Sequence, residues 1–174
     1  MPGWMLPLRP PSSSKGRERM TVSLRLAELG IELPTVVPPV AAYVPAKAHG
    51  DLVYTAGQLP MVSGVLPATG KVGEGEGLVP AEQANSYARQ CALNAVAAAA
   101  AAVGGVDRLT GVLKVTGFVA SVPEFTGQPG VINGASGVLG DIFGDDGRHA
   151  RSAVGVPVLP LDSPVEVEVV FTFA

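Results

Sequence analysis

The clearest pattern in the chain is its last one. From Val165 to Phe173, Val165, Val167, Val169, Phe171 and Phe173 alternate with Glu166, Glu168, Val170 and Thr172, the two-residue period of a strand that buries one face. Glu166 and Glu168 therefore share the other face. Residues 111–121 alternate for much of their length and are rich in valine, and residues 151–158 form another extended run, so both predict strands. Nearer the start, the β-favouring runs 40–45 and 51–56 flank a turn at Gly50 and read as a hairpin. Gly57 breaks its second strand.

Other segments carry a helical period. Residues 23–30 suit a short helix, with Ser23 as N-cap candidate, apolar Leu24, Leu26, Ala27 and Leu29, and a terminal glycine. Pro80 opens the best helix, which runs to Gly104 and Gly105. Within it Ala84, Ala88, Cys91, Ala95, Ala98 and Ala102 fall on one side, with Gln83, Ser86, Gln90 and Asn94 largely on the other. Such small side chains allow a close approach to a sheet. A further helix is expected over 130–143, with Val131, Ala135, Val138 and Ile142 in register. Its Gly134, Gly137 and Gly140 each lower helix propensity by about 1 kcal/mol relative to alanine, so packing must hold it. Residues 64–77 are glycine-rich and read as a surface loop with a short extended piece near Lys71 and Val72. The order β-β-α-β-α-β-β predicts an α+β domain, a mixed sheet with both main helices packed on one face.

Composition adds an expectation of assembly. Apolar residues make up 47% of the chain and charged residues only 16%, so surface is expected to be buried between subunits as well as within one. The net charge of -3, with no basic run beyond the first residues, predicts no nucleic-acid partner. The longest uncharged apolar run, 91–103, is shorter than the roughly 20 residues that cross a bilayer, and no membrane partner is expected. Cys91 is the lone cysteine; it reads as a small core side chain and is compatible with a reducing, cytoplasmic location. Residues 1–19, rich in proline and serine before a mixed-charge stretch, read as a disordered extension to a single domain over 20–174. Translation from Met20 accounts for them equally well.

The search for chemistry begins with exclusions. There is no phosphate loop of the Walker or dinucleotide type and no G-x-S-x-G elbow. The one cysteine and two histidines, His49 and His149, have no paired spacing, so neither a metal nor a cofactor is expected, and both histidines read as loop residues. What remains is Arg151 with Glu166. Arg151 opens a strand of small and apolar residues, where its guanidinium can present a rigid fork to a carboxylate. It can equally be ion-paired with Glu166 or Glu168 across neighbouring strands, and pattern alone leaves both readings open.

Particular motifs carry a resemblance. Tyr54, Thr55, Ala56, Gly57, Gln58, Leu59 and Pro60, then Arg151, Ser152, Ala153 and Val154, Leu159 and Pro160, and Val165, Glu166, Val167 and Glu168 resemble the strand-ending and C-terminal signatures of the Rid/YjgF family. The Pro80 helix and the Lys114, Val115, Thr116 strand match too, and the resemblance covers roughly residues 36–174. It implies a chorismate-mutase-like α+β fold, a homotrimer with clefts between subunits, and cofactor-free hydrolysis of enamines or imines such as 2-aminoacrylate. By position, Arg151 would bind the substrate carboxylate and Glu166 would orient or activate water. Tyr43 would cover the cleft, Asn133 would be the helix-borne asparagine, Gly57 would line the site, and backbone groups of Ala153 would hold the nitrogen end. Where the family usually has a serine and often a cysteine, this chain has Ala56 and Ala153. The rival expectation is therefore a ligand-binding or interaction trimer that keeps the carboxylate site without turnover. RNA cleavage, attached by name to parts of the family, finds no support in the charge pattern.

Overall fold

The computed structural model describes residues 20–36 and 43–174. The expected extension over 1–19 and residues 40–42 of the first predicted strand lie outside these.

Five strands form one sheet: β1 (Ala46–His49), β2 (Leu52–Thr55), β3 (Leu109–Ala120), β4 (Ala150–Val156) and β5 (Val165–Phe173), in the order β1-β2-β5-β3-β4. Only β3 and β4 run parallel, which requires a crossover, supplied by helix α3 (Gln128–Phe143). The C-terminal strand β5 lies at the centre, antiparallel to both β2 and β3. The first strand is displaced from its predicted place. Val44 and Pro45 precede β1, and the Pro45 carbonyl instead accepts the Ala56 N–H at 2.8 Å; a residue without an N–H serves better at a strand end than inside the ladder. His49, expected in a loop, ends β1.

Helix α1 (Val22–Glu28) is capped by Thr21, whose side chain accepts from the Leu24 N–H. Ser23, expected as the cap, lies inside the helix. Its N–H and hydroxyl both donate to the Asp107 carboxylate, at 2.7 and 2.8 Å, tying α1 to the turn before β3.

Helix α2 (Ala81–Val103) buries Ala84, Ala88, Cys91, Ala95 and Ala98 as the period predicts, but Ala102, in its last turn, is exposed. Gly104, with φ of 86°, ends it in the left-handed region that glycine tolerates. Gln90 and Asn94, expected on the polar side, are half-buried, and Asn94 Nδ2 donates to the carbonyls of Leu59 and Met61. That side of the helix fastens the chain leaving β2. A Cβ at Gly134 of α3 would fall on the backbone carbonyl oxygen of Asn85, so the glycine that weakens α3 locally is what lets the two helices meet.

Both α2 and α3 pack on one face of the sheet. The Cys91 thiol contacts the Val165 carbonyl, Ile132 fills the space beside Gly117, and the Phe143 ring meets that of Phe171 at 5.9 Å. This face carries the core, with Val115, Val119, Val165, Val167 and Phe171 excluded from solvent. Val72 is buried too, joining the end of β3 through its N–H to the Ala120 carbonyl, so the expected extended piece of the 64–77 loop is present. The opposite face carries Glu166, Glu168 and Val170, with Tyr54, Leu113 and Val154 left 44 to 50% exposed. No helix of the described residues is long and apolar enough to cross a membrane.

Candidate active site

Arg151 is the second residue of β4, a strand at the edge of the sheet. Its ladder neighbour is the buried Val115, so its side chain leaves on the helix-covered face. There it reaches α3, where Nη1 donates to Asn133 Oδ1 at 2.8 Å and to Ser136 Oγ at 3.2 Å. Asn133 and Ser136 are three residues apart and therefore share one side of the helix. Both acceptors are neutral. Ion pairs among the described residues join Arg25 to Glu28 and Arg148 to Asp145, and Arg151 takes part in neither. The alternative in which Arg151 pairs with Glu166 or Glu168 is thus corrected: β3 separates β4 from β5, and the glutamates leave on the other face.

His149 precedes Arg151 by two residues, which in an extended chain puts both side chains on one side. Its Nδ1 lies 2.6 Å from the Gly147 carbonyl oxygen and its Nε2 2.9 Å from Ser136 Oγ. A carbonyl can only accept, so Nδ1 carries the proton. With the ring neutral, Nε2 accepts from the Ser136 hydroxyl, whose oxygen in turn accepts from Arg151. The chain of bonds from Arg151 through Ser136 and His149 to Gly147 has one direction throughout. Together with the bond to Asn133 it occupies both Nη1 hydrogens and leaves the Nε and Nη2 donors of the guanidinium for another partner.

Glu166 lies half-buried on the opposite face, paired with Phe118 across the ladder. Its carboxylate rests against Gly57, where an added Cβ would fall on Oε1. Glycine leaves the carboxylate room to lie there, and a side chain would displace it. The next residue, Gln58, rejoins β5 through paired bonds with Val167 at 2.9 and 3.0 Å, which fixes Gly57 beneath the carboxylate. Burial pushes the Glu166 carboxyl above its ordinary pKa, and the neighbouring Glu168 charge adds to the rise. Full burial in the core holds the Cys91 thiol well up, as expected for an inert core cysteine.

One chain thus brings Arg151 to Asn133, and Glu166 to Gly57, without joining the two pairs. Ala153 is half-buried on β4 opposite Gly117, on the Arg151 side. Tyr43 is 57% exposed ahead of β1 and makes no hydrogen bond to either pair. Ser136 and His149 were not singled out from the sequence as site residues. Their signal was present as spacing, three residues after Asn133 on a helix and two before Arg151 on a strand. A shallow depression bordered by Asp145, Asp146 and Arg148 lies apart from both pairs.

Comparison with known proteins shows the family. Residues 23–174 match the family described as "YjgF/chorismate mutase-like, putative endoribonuclease", and the chain belongs to that family. It is 41% identical over 150 residues to protein TCP17 of Trypanosoma cruzi, covering 84% of this chain and 91% of the relative. Among solved structures, a protein of unknown function from Agrobacterium tumefaciens is 43% identical, with a TM-score of 0.79 over 88% of this chain and 92% of its own. A "putative endoribonuclease" from Shewanella oneidensis is 30% identical, with a TM-score of 0.81 over 88% of this chain and 99% of its own.

Proposed function

We propose that the protein is a cytoplasmic homotrimer that hydrolyses reactive enamine and imine intermediates, of the 2-aminoacrylate type, to 2-keto acids and ammonia in clefts between subunits. The observation that carries this reading is Arg151: a half-buried guanidinium held by two neutral side chains, with no carboxylate of the described residues paired to it. Desolvated cations are normally paired, and a fixed fork with free donors is suited to a ligand carboxylate. Assembly draws support from the helix-free sheet face with its exposed Tyr54, Leu113 and Val154. A further support is that Arg151 and Glu166 can share a ligand only if they come from different chains.

The chemistry needs no cofactor, because an imine carbon is already electrophilic. Arg151 holds the substrate carboxylate and so orients the neighbouring C=N bond. Glu166 accepts a proton from water as the hydroxyl adds to that carbon. That proton passes to nitrogen to give a carbinolamine; the carbinolamine hydroxyl then gives its own proton to nitrogen by way of Glu166 as the C–N bond breaks, so ammonia leaves as the carbonyl forms. The raised pKa of Glu166 brings its basicity toward that of the group it must protonate. Tyr43 would close the cleft, Gly57 would admit the ligand beside Glu166, and backbone groups of Ala153 would meet the nitrogen end.

A second reading, a trimer that binds small carboxylates without turnover, is favoured by one observation. Ala56 and Ala153 offer no side-chain donor near the reacting end.

The deciding experiment generates 2-imino acids from a panel of amino acids with an amino-acid oxidase, while semicarbazide competes for the imine. The wild-type protein is expected to reduce semicarbazone formation and Arg151→Ala to lose the effect. No difference from buffer across the panel, with carboxylate binding retained, would select the second reading.

A further inference from the structure

We propose that Ser136 and His149 are positioning residues for Arg151: they hold Nη1 so that the Nε and Nη2 edge of the guanidinium meets the ligand carboxylate side-on. The inference rests on the carboxylate-anchor reading above and extends it to two residues which that reading leaves unassigned.

An arginine side chain has several rotatable bonds, and an unrestrained one must be ordered by its ligand at the expense of affinity. Here Asn133 and Ser136 take both hydrogens of Nη1. The donors left over, one on Nε and two on Nη2, form the edge whose two parallel N–H bonds match a carboxylate. Asn133 is exposed, whereas Ser136 and His149 are half-buried. Ser136 alone is a poor anchor, because a free hydroxyl rotates. The His149 ring removes that freedom: in the neutral imidazole whose Nδ1–H is committed to the Gly147 carbonyl, Nε2 accepts the Ser136 proton. The Ser136 lone pairs are then turned toward Arg151. His149 in this arrangement never touches the ligand; its effect passes through Ser136.

The test measures binding of 2-oxobutyrate, and of its amide as a control without a carboxylate, to the full chain by calorimetry, alongside steady-state imine hydrolysis. Ser136→Ala and His149→Phe are expected to weaken 2-oxobutyrate binding on the order of tenfold and leave the amide unaffected. Most of the kinetic loss should fall in KM rather than kcat. His149→Gln, which can place an acceptor near the position of Nε2, and Ser136→Thr, which keeps the hydroxyl, should each recover most of the binding. A purely structural role would lower thermal stability in step with binding and would not discriminate between acid and amide. Binding by Ser136→Ala within about twofold of wild type overturns the positioning role. If wild type does not bind 2-oxobutyrate, or Arg151→Ala binds it normally, the anchor reading falls and this inference with it. Loss of binding in Arg151→Ala but not in Ser136→Ala overturns the inference alone.

Discussion

Arg151 and Glu166 leave the sheet on opposite faces, with β3 between their strands and their ladder positions three residues apart. Strand spacing and rise put their Cα atoms about 14 Å apart. In the proposed trimer, with its clefts between subunits, this arrangement predicts complementation. Arg151→Ala and Glu166→Gln should each be inactive as homogeneous preparations. Mixed by co-expression in equal amounts, they should recover about a quarter of wild-type imine hydrolysis, because a cyclic assembly then pairs an intact Arg151 with an intact Glu166 at one interface in four. Recovery at background level in a co-purified mixture would place both residues' work within one chain.

Gly57 gives a second expectation. Its Cα touches the Glu166 carboxylate, and a Cβ there would displace the end of a flexible side chain rather than backbone. Gly57→Ala should therefore change unfolding free energy by no more than about 1 kcal/mol. Imine hydrolysis should fall on the order of 100-fold, the usual consequence of moving a reacting group by an ångström. Denaturant titration and the oxidase-coupled assay read the two effects separately.

Acid–base behaviour supplies the third. Glu166 must be ionised to take a proton, and burial, then Glu168, raises its pKa, so the acid limb of the rate profile should lie above the ordinary carboxylate range. Glu168→Gln removes the like charge and should shift that limb to lower pH. Stability runs the other way. A carboxyl whose pKa is higher folded than unfolded contributes stability below the unfolded value and loses it as pH rises through the folded one. Glu166→Gln should accordingly be more stable than wild type at neutral pH and equal to it in acid. The gain should be at most about 1 kcal/mol, since the half-buried carboxylate keeps contact with water. Thermal melts across pH, at fixed protein concentration, measure it.

The helix pair supplies the fourth, through one substitution made at two glycines of α3. Gly134→Ala drives a methyl into the Asn85 carbonyl and should cost about 2–3 kcal/mol, since backbone does not yield as a side chain does. Gly137→Ala meets nothing within 4 Å and should stabilise by about 0.5–1 kcal/mol through helix propensity alone. Equal effects at the two positions would mean that α2 and α3 do not meet at Gly134.

Period and punctuation in the sequence determined the elements themselves. The alternation over Val165–Phe173, the alanine-lined register of α2 and the terminal Gly104 reappear where they were expected, because burial on one face imposes a local repeat that any reader of the chain can count. The motifs around Gly57, Arg151 and Glu166 are equally local, and they carry the family resemblance. Tertiary structure decided what lies beside what. Nothing in the local pattern inserts β5 between β2 and β3, and that insertion puts β3 between Arg151 and Glu166 and sends them to opposite faces. Thr21 rather than Ser23 caps α1 because Asp107, 84 residues away, claims Ser23. The bonds from Arg151 through Ser136 to His149 join a strand, a helix and a turn, so spacing alone could place each residue on a face but could not bring the three together. Sequence periodicity reports which side of an element is buried, whereas long-range packing chooses the partner.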